Sequence, residues 1–414
     1  MQLIHKKLIP LVVATAVSTP LILNAASSDE VSFKQMKYSE SDDRIDIDFS
    51  VLDIKKDFGT DYTVNFSASY DSISGGTPIW DSISGASSTE TTDSSSGASH
   101  CVDEQGNYLC KDTRSDDILG DGHSDMSDFS YRNVEVEDTR KAANISITKR
   151  TASRDEISFG TAYSKEGDFK SIEGSLSYLY NIDNTRNSSI AVGASYQSNS
   201  AYHYLEDTWK DFKIINTQIG YTHTFTKYTV GQINYFYIKQ SGVLDNPYQT
   251  IIRKLNVSLT DDDYYKYYRA KEKRPDEKNS AGMTIDLVSK ITPKTSWHGD
   301  YRLYKDDWGV LSHTLSTSLF YDLGRDFTLV PLIRYYQQSA AVFYKAHDSS
   351  DFTFNETDYG SSDERLSKFH SFAYSLGIEK KFTQKLSGNI HYAQESQSFG
   401  LDMKWVSLGF NYNF

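Results

Sequence analysis

The residues of this 414-residue chain that could make or break bonds are ten histidines, many serines and two cysteines. A hydrolase would need one of His298, His313, His347, His370 or His391 beside a nucleophile or an activated water. No local pattern pairs any of these with a serine. The chain also lacks a nucleotide loop, a dinucleotide fingerprint and a zinc motif. No catalytic residue, no cofactor and no enzymatic activity is therefore expected. Cys101 and Cys110 are separated by eight residues that include Gly106 and Asn107, and in an exported chain they are expected to form a disulfide. A metal pair is the lesser reading, because only His100 lies nearby. The acidic run after them, with Asp117, Asp121 and Asp125 at its centre, offers oxygens of the kind Ca²⁺ takes. It does not follow the spaced Ca-loop pattern, so solvated loop charge is the preferred reading and no metal is assigned.

The elements that carry these residues follow from composition and period. The formal charge is −13, only 38% of residues are hydrophobic, and the mean hydropathy is −0.55. No apolar stretch beyond the N-terminus reaches the roughly 18 residues of a spanning helix. The acidity argues against a nucleic-acid partner, which needs a basic face. Aromatics are 14% of the chain, with 30 Tyr, and Pro is scarce, which argues against disorder. Lys6 and Lys7, the apolar run Leu8 to Leu23, and Asn24-Ala25-Ala26-Ser27 read as a secretory signal peptide over residues 1–25. Residues 26–414 then form one domain.

That domain alternates with a period of two. Ile45, Ile47, Phe49 and Val51 interleave with Asp46, Asp48 and Ser50; Tyr62, Val64, Phe66, Ala68 and Tyr70 interleave with small polar residues. Leu176, Tyr178 and Tyr180, and later Phe372, Tyr374, Leu376 and Ile378, repeat the pattern. In a transmembrane barrel the apolar face meets lipid, the polar face meets a lumen, and aromatics form girdles at both interfaces. The last strand, with Phe410, Tyr412 and Phe414 on one face, resembles the C-terminal assembly signal of Gram-negative outer-membrane barrels. Fifteen strands are legible directly, from 44–54 to 403–414. Short connections alternate with longer ones, the longest being 72–138, 241–277 and 339–367. Bacterial barrels have an even strand number with the long loops outside, so Val31 to Tyr38 is read as one further strand. The expectation is an all-β, transmembrane antiparallel β-barrel of about 16 strands with long extracellular loops. In loop 241–277, Asp261 to Asp263, four tyrosines and the basic run Lys271 to Arg274 either form a binding surface or pack the loop against the barrel mouth.

Two segments carry a specific resemblance. Tyr301-Arg302-Leu303-Tyr304-Lys305-Asp306-Asp307-Trp308-Gly309 and Arg334-Tyr335-Tyr336-Gln337-Gln338-Ser339-Ala340-Ala341-Val342-Phe343-Tyr344 are similar to the hallmark segments of the bacterial family called domain of unknown function 3570. Ser-Gly-Ala-Ser pieces at 84–87 and 96–99, Asn246-Pro247-Tyr248, Arg274-Pro275-Asp276 and Asp363-Glu364-Arg365-Leu366-Ser367 resemble its secondary motifs in order. The resemblance implies an outer-membrane barrel without an established activity. It also implies an envelope redox context, since members are often encoded near a small lipoprotein, a thioredoxin-like protein and a flavin transferase. The chain departs from the pattern in its Cys-containing insert and its Asp-rich tract.

Strand parity places these motifs at the long-loop mouth. Asp300, Arg302, Tyr304, Arg334, Tyr336, Gln338, Glu379, Lys381 and His391 are expected inside, with Asp306, Asp307 and Trp308 at the rim. Charges facing a lumen set selectivity in a pore, and they also pair to brace a plugged one. Two functions compete: a porin-like channel for small polar solutes, or a non-conducting surface scaffold that binds envelope partners through its loops. The expected partners are outer-membrane lipid and lipopolysaccharide, the barrel-assembly machinery and a small solute.

Overall fold

The computed structural model describes residues 29–42, 44–82, 129–135, 137–183, 185–256 and 265–414. The segment 1–25 read as a signal peptide, Cys101 and Cys110, and the aspartates Asp117, Asp121 and Asp125 lie outside these residues.

Among the described residues, twenty strands account for nearly all regular structure. They run β1 (Glu30–Glu40), β2 (Ile45–Phe58), β3 (Tyr62–Ser82), β4 (Phe129–Glu135), β5 (Asp138–Arg150), β6 (Glu156–Lys165) and β7 (Phe169–Asn181). Next come β8 (Ser188–His203), β9 (Thr208–Thr226), β10 (Thr229–Gly242), β11 (Thr250–Asn256), β12 (Tyr265–Lys271) and β13 (Glu277–Thr292). The last are β14 (Thr295–Asp306), β15 (Leu311–Gly324), β16 (Phe327–Gln338), β17 (Phe354–Asn355), β18 (Phe369–Lys381), β19 (Leu386–Gln397) and β20 (Asp402–Asn413).

Seventeen strands share one sheet, and β4 pairs only with the far end of β3. The other sixteen pair antiparallel with their neighbours, and β1 pairs with both β2 and β20, which closes the ring. Closure leaves no unpaired edge, the condition a sheet must meet to stand in hydrocarbon. Each strand read from the alternation is present at its place, the strand at Val31 to Tyr38 included.

The outer face carries the chemistry of a bilayer. Ile147, Leu176, Ile219, Leu315, Ile333 and Ile390 form an exposed aliphatic belt. Tyr70, Tyr163, Tyr196, Trp209, Tyr237, Tyr335 and Tyr374 ring it toward the long-loop end; Phe58, Tyr62, Tyr180, Phe225, Tyr228, Phe327, Phe382 and Phe414 ring it toward the short-turn end. These are the two girdles of a transmembrane barrel. Phe414 stacks on Tyr412 with ring centroids 6.2 Å apart, beside exposed Phe410.

Three features depart from the periodicity reading. β3 runs past the barrel rim to Ser82 and pairs there with β4, so the segment from 72 onward begins as a projecting hairpin. Loop 241–277 contains the hairpin of β11 and β12, which pairs through β11 with β17 as a separate three-stranded sheet. Finally, Ile45, Ile47 and Val51 are buried, while Asp46 and Asp48 are exposed on the outer face. Their apolar side is the inner one. The register explains this: Phe33 and Leu52 pair on the outer face, so Ile47, opposite Tyr38 and Ile73, must point inward.

Candidate functional site

The inner wall of β13, β14, β15 and β16 is built in register. Asp286 stands opposite Asp300; Thr284, Arg302, Thr314 and Tyr336 form the next row; Tyr304 stands opposite Gly282 one row farther toward the long-loop end. Arg334 pairs with Glu395 of β19 at 3.2 Å and lies over the Tyr336 ring. Tyr336 donates to Gln338 at 2.6 Å. Arg302 sits 5.1 Å from the Phe236 ring and 5.4 Å from the Tyr304 ring. Glu379 and Lys381 lie toward the short-turn end of β18, opposite Thr328 of β16 and Ser387 of β19, and His391 stands opposite Gly377. They share the inner face with Arg302 and Arg334 but belong to lower rows.

At the long-loop end the wall turns apolar. Tyr38, Ile45, Ile47, Ile73, Leu401 and Met403, from β1, β2, β3, the β19–β20 connection and β20, form a buried cluster. Met36, Phe49, Phe399, Trp405 and Tyr248 pack on it. Tyr248 does not belong to this wall. Its segment is rooted between β10 and β13, half a circumference away in the strand order. Thr250 in the same segment donates to the carbonyl of Trp80 on β3 at 2.7 Å, and Lys271 reaches Glu206 in the β8–β9 connection at 2.8 Å. A segment tied to opposite walls must cross the mouth. Residues 243–256 and 265–276 are therefore a roof packed on the barrel mouth, while Asp261 to Asp263 and Tyr264 lie outside the described residues.

Ionic and apolar contacts hold the roof. Glu272 and Arg274 are buried and in contact at 2.5 Å, and Arg274 bridges to Asp363 at 2.9 Å. Arg365 closes on Asp363 at 2.6 Å, and Glu364 binds Arg44 of the β1–β2 connection at 2.9 Å. Glu272 also accepts from Ser361 and from the backbone of Asn246. Burial pushes the Glu272 carboxyl up to about 7 against the pull of Arg274. Burial acts on Asp363 too, but Arg365 and Arg274 overcome it and hold that carboxyl below the usual carboxylate range. The motifs around Asn246, Arg274 and Asp363, far apart in sequence, are thus three parts of one buried network.

The two hallmark segments meet as well. Trp308, Val310, Ala341, Phe343 and Leu366 form a second buried cluster, with Trp308 and Phe343 edge-on at 5.2 Å. Asp306 is buried on Lys278 at 3.0 Å and also receives the Tyr304 hydroxyl at 2.9 Å. Exposed Asp307 caps Asn279 at 3.0 Å. Trp308, Asp306 and Asp307 therefore build the rim and do not line the lumen, whereas Arg302, Tyr304, Arg334 and Tyr336 do.

One acidic group was not singled out in the sequence. Asp138, Glu166 and Asp168 bring carboxylate oxygens within 4.8 Å of one another at the β6–β7 turn. No local motif announces the trio, because Asp138 arrives from β5, across the sheet. Gly167 N–H donates to Asp138 at 3.1 Å and the Tyr204 hydroxyl to Asp168 at 3.0 Å. Burial and then Asp168 raise Glu166 to about 8; burial and then Asp138 raise Asp168 to about 7. Both folded values lie above the unfolded ones, so the folded turn keeps protons that the unfolded chain releases. The resulting stabilisation is complete below about pH 4 and is lost as pH rises through about 7 to 8. Hydrogen exchange at Gly167, corrected for intrinsic rate, is expected to lose protection between pH 5 and pH 9, and Glu166→Gln is expected to flatten that dependence. An equal slope in the variant would show that Glu166 is not the titrating group.

A closed antiparallel ring with an aliphatic belt, two aromatic girdles and a polar inner wall is a transmembrane β-barrel. Within that class, the chain belongs to the family described as protein of unknown function DUF3570, whose profile matches residues 7–209 and 199–400. No curated protein matches it. Among solved structures it is similar to the siderophore receptor PirA from Pseudomonas aeruginosa, at 10% identity and TM-score 0.36, covering 90% of this chain and 56% of that one. It is also similar to a bacterial polysaccharide outer membrane secretin, at 6% and 0.46 over 94% and 98% of the two chains. A third is the CymD monoaromatic hydrocarbon channel, at 8% and 0.43 over 97% and 92%. The chain thus spans little more than half the length of the siderophore receptor. These are likenesses of architecture alone.

Proposed function

We propose that the protein is a non-enzymatic outer-membrane barrel, its long loops facing outward and lipopolysaccharide, acting as a selective pore for small polar solutes whose mouth is constricted by its own roof. In this reading the belt stands in the bilayer and the β20 face ending in Phe410, Tyr412 and Phe414 is what the barrel-assembly machinery reads. Sixteen strands enclose a lumen wide enough for water unless loops fill it. The observation that carries the proposal is Tyr248 seated on the Tyr38–Ile47–Met403 cluster of the opposite wall. It makes the roof a removable constriction and leaves the polar wall below it.

Planar-bilayer recording of the purified full chain tests this. The wild type is expected to show small, infrequent openings, and Tyr248→Ala is expected to raise the open probability several-fold. Silence in both the wild type and a variant with residues 246–272 replaced by a short Gly/Ser linker would remove the pore reading. It would leave a surface scaffold that binds envelope partners through its loops, for which the rigid ionic roof provides a shaped face.

A further inference from the structure

The arginines of the wall and the roof are matched to acceptors. Arg140 binds Asp71, Arg334 binds Glu395, Arg274 binds Glu272 and Asp363, and Arg253 donates to the carbonyls of Asn355 and Asp358. Arg302 differs. Its guanidinium lies beside two rings, Phe236 at 5.1 Å and Tyr304 at 5.4 Å, with Tyr336 and the like charge of Arg334 within electrostatic reach. Among the described residues none accepts a hydrogen bond or an ion pair from it.

The neighbouring charges are already assigned. Asp306 is taken by Lys278, and Glu395 by Arg334. Asp286 and Asp300 stand opposite each other one row toward the short-turn end, about 7 Å along the strands. The Arg302 guanidinium leans the other way, into the row of Phe236, Gly282 and Tyr304. Gly282 makes that possible: a Cβ there would lie 2.5 Å from Phe236 Cζ, so only a glycine lets the ring lie against the wall beneath the arginine.

Rings beside a guanidinium interact with its charged plane, while its five N–H donors point outward within that plane. A half-buried guanidinium beside two rings, with its donor fork taken by no described acceptor, matches the two oxygens of a carboxylate. We propose that Arg302, with Phe236 and Tyr304, forms a binding site in the lumen for small organic carboxylates, with aromatic ones favoured by the rings. The site rests on the pore reading for its access, but binding itself can be measured without conduction.

The probe is benzoate, titrated calorimetrically into the detergent-solubilised full chain, with benzamide as the uncharged control. Benzoate is expected to bind and benzamide not to. Arg302→Gln is expected to weaken benzoate at least tenfold. Arg302→Lys keeps the charge without the fork and is expected to fall between; it also serves if the glutamine variant does not fold. Absence of benzoate binding to the wild type, equal binding of benzamide, or unchanged affinity in both variants would overturn the site. Benzoate binding that depends on Arg302 in a barrel silent in bilayers both with its roof and with residues 246–272 replaced would leave the site standing and remove the pore reading.

Discussion

Arg274→Ala is expected to release the roof while leaving the barrel closed. Arg274 and Glu272 have 2% and 0% of their side-chain surface exposed, and Asp363 has 4%. Removing the cation leaves two carboxylates buried near one another with only Arg365 still in place. Breaking a buried pair from one side costs about 3–5 kcal/mol, because the remaining charge has neither water nor partner. Protonation of Glu272, already held up to about 7, relieves part of that cost, so the defect should be milder at pH 5 than at pH 8. The barrel strands make none of these contacts and should be untouched. Limited trypsin digestion of the folded protein is the measurement. Cleavage at Lys254 or Arg269 is expected in the variant at a dose that spares the wild type, while folded barrel still migrates as such on an unheated gel. Equal resistance in both proteins would mean that the ion network does not hold the roof.

Leu176→Lys is expected to be the most damaging change on the outer wall, and Ser177→Lys, one residue on, close to neutral. Leu176 is 48% exposed in the aliphatic belt, opposite Phe159 on β6. A lysine at the bilayer midplane costs about 2–4 kcal/mol in a barrel strand. Ser177 faces inward, half-buried between the small residues Ser158 and Gly193, on the polar wall rather than in the belt. Urea unfolding of the two variants in lipid vesicles gives the comparison. Equal loss would contradict the assignment of the belt to lipid, and a loss only in Ser177→Lys would invert it.

The barrel was almost wholly legible because period-two alternation needs no partner to be seen. Leu176, Tyr178 and Tyr180 declare one face of β7 whatever lies beside them. Parity then placed the strand at Val31 to Tyr38, whose own alternation is weak. The same signal misled at β2, because Ile45 and Ile47 alternate like lipid-facing residues yet meet Tyr38, Ile73 and Met403 inside. Alternation tells that two faces differ; what each face touches depends on the neighbouring strands. The inward placement of Arg302 and Arg334 followed from period alone, but their different fates did not: one found Glu395, and the other found rings.

By itself, then, the amino-acid sequence determined the sheet, its strand count and the charges on its inner wall, because strand faces and closure rest on local periodicity and on the need to satisfy backbone groups in lipid. Only the tertiary structure decided that residues 243–256 and 265–276 cross the mouth, that Arg274 meets Asp363, and that Asp138 joins Glu166 and Asp168. Those contacts join residues from separate loops and strands. Their pairing energy depends on burial, which no single segment possesses until the ring has closed around it.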